Sequence, residues 1–170
     1  MIRATNPALF RHFFTAVVCC TIFVSTPAAA DKSPIAAVNT ADGIGLQGHD
    51  LVAYFTSGRP TPGVAAYSYQ WQGVTYRFAS AEHQERFKAD PDRFLPQYGG
   101  YCAYAMSLNR IADIDPARWA IVDGKLYLNN NRFAHALWSL DKSDNIAAAD
   151  RNWMAWPKTV TGEAQPPTTH

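Results

Sequence analysis

Few side chains in this sequence have the chemistry to hold a soft ligand or attack a bond. Of the three cysteines, Cys19 and Cys20 lie in an apolar run near the N-terminus, which leaves Cys102 as the thiol about which chemistry is argued. Met106 follows four residues later, so on a helix its thioether shares a face with Cys102. A thiolate, a thioether and an imidazole from His49 or His83 together form a donor set that favours Cu(I). The same thiol also suits a nucleophile or redox centre where its thiolate is stabilised. It equally suits an inert buried side chain, because free cysteine is among the most buried residue types. No H-x-x-x-H or C-x-x-C spacing occurs from Asp31 onward, so spacing alone assembles no zinc cage and no dithiol. Nor does it locate the base and orienting group that a cysteine hydrolase requires. Asp113 and Asp115, just before Pro116, read as turn and cap residues, and no catalytic residue is assigned.

The elements that must position these groups are short. Asp50 opens LVAYF as a helix N-cap, with His49 just outside the helix start. Tyr67, Tyr69 and Trp71 alternate with polar residues, Gln72-Gly73 turns the chain, and Val74, Tyr76 and Phe78 alternate again, which predicts a hairpin with an aromatic core face. Ser80 caps a helix carrying His83 and Phe87, and Asp90-Pro91 ends it and starts the next. Gly99-Gly100 breaks that helix before a small apolar run containing Cys102 and Met106. A second hairpin runs from Trp119 to Leu128 around Asp123-Gly124. Asn129 to Asn131 then caps a helix with Phe133, Leu137, Trp138 and Leu140 as its apolar residues, which places His135 off the buried stripe. A last helix starts at Ser143 to Asn145 and carries Ile146, Ala149, Trp153 and Trp156. The sum is a small single α+β domain, two antiparallel hairpins in one sheet with several short helices packed against it.

The ends and the charge narrow the setting. Arg3 and Arg11, the apolar run Phe13 to Val24, and Ala28 to Ala30 before Asp31 read as a cleaved signal peptide over residues 1–30. The run is well short of the roughly 20 residues a membrane span needs, so the expectation is a periplasmic or secreted protein with no membrane attachment after cleavage. Residues 31–41 read as a flexible lead-in, 42–156 as the domain, and 157–170 as a disordered tail rich in Thr and Pro. Without Arg3 and Arg11, 13 Lys and Arg face 14 Asp and Glu, a near-neutral balance with no electrostatic footprint for nucleic acid.

The stretch Gln72-Gly73-Val74-Thr75-Tyr76-Arg77-Phe78, followed by Ser80, Glu82, Phe87, Asp90-Pro91 and Phe94, resembles the YHS domain, a relative of the metallochaperone-like TRASH domain. GHDLVAYF at 48–55, QYGGYCAYA at 97–105, WAIVDGKLYLN at 119–129 and NIAAADRNW at 145–153 extend the likeness to the exported, stand-alone YHS proteins of bacteria, over residues 42–156. The resemblance implies heavy-metal handling through cysteines placed after the second strand and about one helical turn later. Those positions here look like Ala79 and His83. The expectation is therefore an exported YHS-type binding module that holds a soft metal ion, copper first, through Cys102, with His49, His83 and Met106 as co-ligands. A thiol-dependent redox protein or enzyme using Cys102 is the alternative. A structural domain that binds an exported protein partner is the third.

Overall fold

The structure is a computed structural model and describes residues 32–159. The signal peptide read in residues 1–30 lies outside the described residues; of the tail read at 157–170, residues 160–170 lie outside them too, while Lys158 and Thr159 are paired in a strand and not loose.

Both hairpins form where the turn chemistry puts them. Strand β4 (Val64–Trp71) returns through Gln72-Gly73 into β5 (Val74–Phe78), and β6 (Asp115–Val122) returns through Asp123-Gly124 into β7 (Lys125–Asn129). All four turn residues have positive φ, between 48° and 78°, the left-handed pair that matches the twist of a two-residue hairpin. The aromatic face is divided. Val74, Tyr76 and Phe78 are buried, whereas Tyr67 is exposed and Tyr69 and Trp71 are half-buried.

The hairpins do not share a sheet, contrary to the pattern-based expectation. The first joins two short strands, β2 (Thr40–Ala41) and β3 (Ile44–Gly45), in the order β2-β3-β5-β4, and the second stands alone. What unites them is side-chain packing: Tyr76 and Phe78 of β5 and Leu126 and Leu128 of β7 meet in one core with Leu51, Tyr54, Phe87 and Phe94. Tyr127, pointing the other way from β7, packs in a second core with Tyr98, Met106, Trp138 and Ala149. Strand β7 is thus a wall with a core on each face, which is why Leu126 to Asn129 are all buried.

The lead-in is ordered. β1 (Ile35–Ala36) pairs in parallel with β8 (Lys158–Thr159) at the far end of the described chain, and Asn39 N donates to Gly99 O at 2.8 Å. Gly99 is required there. Its φ is +59°, and a Cβ would fall 2.1 Å from Ala37 O, so only glycine lets the two segments touch. A loose reading of residues 31–41 rested on their lack of period, and pairing of backbone with backbone leaves no side-chain period to read.

Helices α1 (Leu51–Thr56), α2 (Ala81–Ala89) and α3 (Pro91–Phe94) cover the first core. Helices α4 (Ala103–Ser107), α5 (Arg132–Leu140) and α6 (Lys142–Ala155) enclose the second. Helix α5 is turned away from the expected stripe: Trp138 is fully buried, while Phe133 and Leu140 are 69% and 82% exposed. Around a helix, His135 lies within about 60° of Trp138, and so it faces inward after all. Among the described residues, no helix is long and apolar enough to cross a membrane.

Candidate functional site

Two buried polar centres are built, one beside each core. The first begins with Asp50, the fully buried N-cap of α1. Its Oδ1 accepts from Val52 N at 2.9 Å and Ala53 N at 3.2 Å, which satisfies the first turn of the helix. Its Oδ2 accepts from Ala79 N at 2.8 Å and from His83 Nδ1 at 2.6 Å. A carboxylate already holding three backbone N–H groups offers nothing but acceptor oxygens, so His83 carries its proton on Nδ1 and presents Nε2 outward. Ser80 positions the ring by capping α2, accepting from His83 N at 3.2 Å.

His83 Nε2 lies 3.3 Å from the hydroxyl of Thr56, the exposed last residue of α1. That hydroxyl also reaches Val52 O at 3.0 Å. One hydroxyl hydrogen serves one acceptor at a time. With the imidazole proton on Nδ1, Nε2 is an acceptor, and Thr56 donates either to it or to Val52 O.

Thr56 lines a groove of about 410 Å³ together with Phe55, Arg86, Ala89, Asp90, Arg93 and Phe94. Phe55 and Phe94 meet edge to face, with ring centroids 5.4 Å apart. Arg86 is bound to Glu82 at 2.7 Å across an exposed turn, a pairing of little strength. Arg93 forms no ion pair among the described residues, and its guanidinium sits 5.7 Å from the Phe94 ring. Aromatic walls with the Arg93 cation, uncommitted among the described residues, and a hydroxyl whose proton can turn have the composition of a small-molecule site.

The second centre is built around Cys102, which is 1% exposed. Cys102 is the N-cap of α4, and its Sγ accepts from Ala105 N at 3.4 Å and Asn130 N at 3.2 Å. The fully buried Asn129 completes the cap: its Oδ1 accepts from Tyr104 N at 3.1 Å and lies 3.8 Å from the thiol. The Asn129 Nδ2 in turn faces His135 Nδ1 at 3.3 Å. Thiol, amide and imidazole thus form a chain in which each group has a fixed sense. The thiol donates to Oδ1 and the amide donates to Nδ1.

That sense requires a neutral His135. Burial, followed by the positive charges of Lys142 and Arg118, holds its pKa below the ordinary 6.5. Because the unfolded chain takes up this proton first as pH falls, the contribution of His135 to stability is intact above pH 6.5. It is lost as pH drops through that value toward the folded one. The denaturation midpoint is expected to fall between about pH 7.5 and pH 5.5, and His135→Gln should flatten part of that slope. A variant as sensitive to pH as the parent over that window would remove His135 from the account.

Most of the residues expected to share a metal are engaged elsewhere. Cys102 is bound to amides. His83 is committed to Asp50 and Thr56, with 17% of its side chain exposed. Met106 packs among Tyr98, Tyr127 and Trp138. His49 sits at an isolated bridge with Pro62, and its buried Nδ1 has no partner among the described residues. Among the described residues, no group of three or more His, Cys, Asp or Glu is placed to hold a metal ion. The groups present do not fit copper: the sulfur faces hard N–H donors and an amide, with no imidazole or thioether among its polar partners.

Sequence reasoning singles out Asp50 as a cap and His83 as an imidazole, but not their pairing across 33 positions. Thr56, Asn129, Arg93 and the inward turn of His135 carry no local signal of their own, save that Asn129 directly follows the second hairpin. No family model, curated protein or solved structure matches this chain.

Proposed function

We propose that this chain is an exported binding module of the YHS type that seats a small organic monocarboxylate in the groove beside α1, α2 and α3. The observation that carries the reading is the run from buried Asp50 through His83 to Thr56, which ends on the groove wall that also holds Arg93, without an ion pair among the described residues. A carboxylate against Arg93 takes charge-assisted hydrogen bonds. Its apolar body packs on Phe55 and Phe94, and the Thr56 hydroxyl, held between His83 Nε2 and Val52 O, stands on the same wall. Asp90 on the same wall opposes a second negative charge, which favours monoanions over dianions. Export rests on Arg3, Arg11, the apolar run and the alanines before Asp31. Copper at Cys102 is set below this reading because the donor set there does not suit it.

Titration with benzoate, followed by amide chemical shifts, checks the assignment. Benzoate is expected to perturb Thr56, Asp90 and Phe94, and added salt should weaken it. Arg93→Ala should raise the Kd about tenfold or more, the range for a lost charge-assisted hydrogen bond. Equal affinity in the parent and in Arg93→Ala would sink the reading.

A further inference from the structure

A second groove, which shares no lining residue with the first, carries two opposite charges that do not pair with each other. Its volume is about 370 Å³, and Ala41, Asp42, Ile44, Gln47, Gly48 and Arg77 line it. Arg77 lies in β5, whose inward neighbours Tyr76 and Phe78 are fixed in the core. Its Nε is buried yet has no hydrogen-bond partner, and the guanidinium forms no ion pair among the described residues. That atom is closed off from the groove, whereas the two terminal nitrogens are not enclosed and have no hydrogen-bond partner among the described residues. Asp42 stands on the same groove, in the turn between β2 and β3, and it too forms no ion pair among the described residues.

The backbone around this groove is also held in an unusual form. Leu46, Gln47 and Gly48 are three successive residues with positive φ, at 52°, 50° and 78°. Conformations of this kind persist only where neighbouring structure imposes them. Here Gln47 Nε2 anchors the segment by donating to Ile114 O at 3.0 Å and Asp113 Oδ1 at 3.2 Å.

We propose that this groove binds a small zwitterion of the amino-acid type. The ligand carboxylate takes one N–H from each terminal nitrogen of Arg77 in the two-pronged geometry a guanidinium offers, and the ligand ammonium faces Asp42. A simple anion gains only the first contact and meets the Asp42 charge as a repulsion. Discrimination between zwitterion and anion therefore lies in Asp42, and retention of either lies in Arg77.

The test follows the Arg77 Nε–H resonance of the purified protein during titration with L-alanine, and separately with acetate. L-Alanine is expected to shift it at concentrations about tenfold below those of acetate, the equivalent of one charge-assisted contact. Arg77→Gln should abolish the response of backbone amides around Gly48 to either compound. Asp42→Asn keeps a residue that accepts the left-handed turn, so it leaves the fold intact, and it should remove the advantage of L-alanine. Arg93→Ala should leave all of this unchanged, which separates the outcome from that of the benzoate groove. Equal responses to L-alanine and acetate in the parent, an advantage that survives Asp42→Asn, or no response to either compound would each overturn the proposal.

Discussion

Asp50→Ala is expected to cost roughly 3–5 kcal/mol, about 1 kcal/mol for the lost helix cap and about 1–2 kcal/mol for each of the two other donors left without an acceptor. Folded domains of this size have about 5–15 kcal/mol in total, so a large unfolded fraction should appear at modest denaturant. The loss is large because the carboxylate serves four donors at once. Val52 N and Ala53 N lose their cap, Ala79 N is left buried without an acceptor, and His83 Nδ1–H loses the group that fixes its ring. Asp50→Asn separates these terms. Its remaining oxygen still caps α1, while its NH2 group confronts Ala79 N–H, so the loss should fall between that of the alanine variant and zero. Guanidinium denaturation of the two variants beside the parent makes the comparison. A loss below about 1 kcal/mol for Asp50→Ala, the value of an ordinary exposed cap, would show that this carboxylate does not tie α1 to α2. The consequence for binding follows directly. With Asp50 gone, His83 no longer presents Nε2 to Thr56, and the benzoate groove should lose its polar rim before it loses Arg93.

What could be read from the sequence and what could not divide along the range of the interaction. The turns at Gln72-Gly73 and Asp123-Gly124 and the caps at Asp50, Ser80 and Asn131 depend on a few neighbouring residues, and each stands where its local chemistry places it. The parallel pairing of Ile35–Ala36 with Lys158–Thr159 depends on two backbones meeting from opposite ends of the domain, which no side-chain pattern encodes. Helix α5 shows the same limit at short range. Phe133, Leu137 and Leu140 form its most apolar face by composition, yet Ala134 and Trp138 are what it buries, because Trp138 fills the space against Tyr127. Once that rotation is known, His135 turns from a surface residue into the end of the Cys102 chain. The fold class was legible, and so was the importance of a capped α1. The partners of Asp50 and Cys102 were not, because both are supplied by segments far along the chain.

Asn129→Ala tests whether the Cys102 centre is a cap rather than a reaction site. Asn129 sits at the end of β7, fully buried, and touches three groups on α4 and α5: Tyr104 N, the Cys102 thiol and His135. Its removal strands Tyr104 N–H and opens a small cavity, which should cost roughly 2–4 kcal/mol. The same change should expose the sulfur. In the parent, alkylation of Cys102 must wait for local opening, since the atom is enclosed and receives N–H groups from Ala105 and Asn130. Loosening that enclosure by about 1.4–2.8 kcal/mol should accelerate alkylation roughly ten- to hundredfold. Mass-spectrometric labelling under native conditions measures the rate, with the parent in denaturant as the reference for a free thiol. Rapid labelling of the parent, unchanged in Asn129→Ala, would mean that the sulfur is already reachable, and a thiol-dependent activity would then become the better account of Cys102. Slow labelling that Asn129→Ala accelerates places the sulfur in the architecture: an N-cap made from a thiol and an amide, which holds α4 against the strand that separates the two cores.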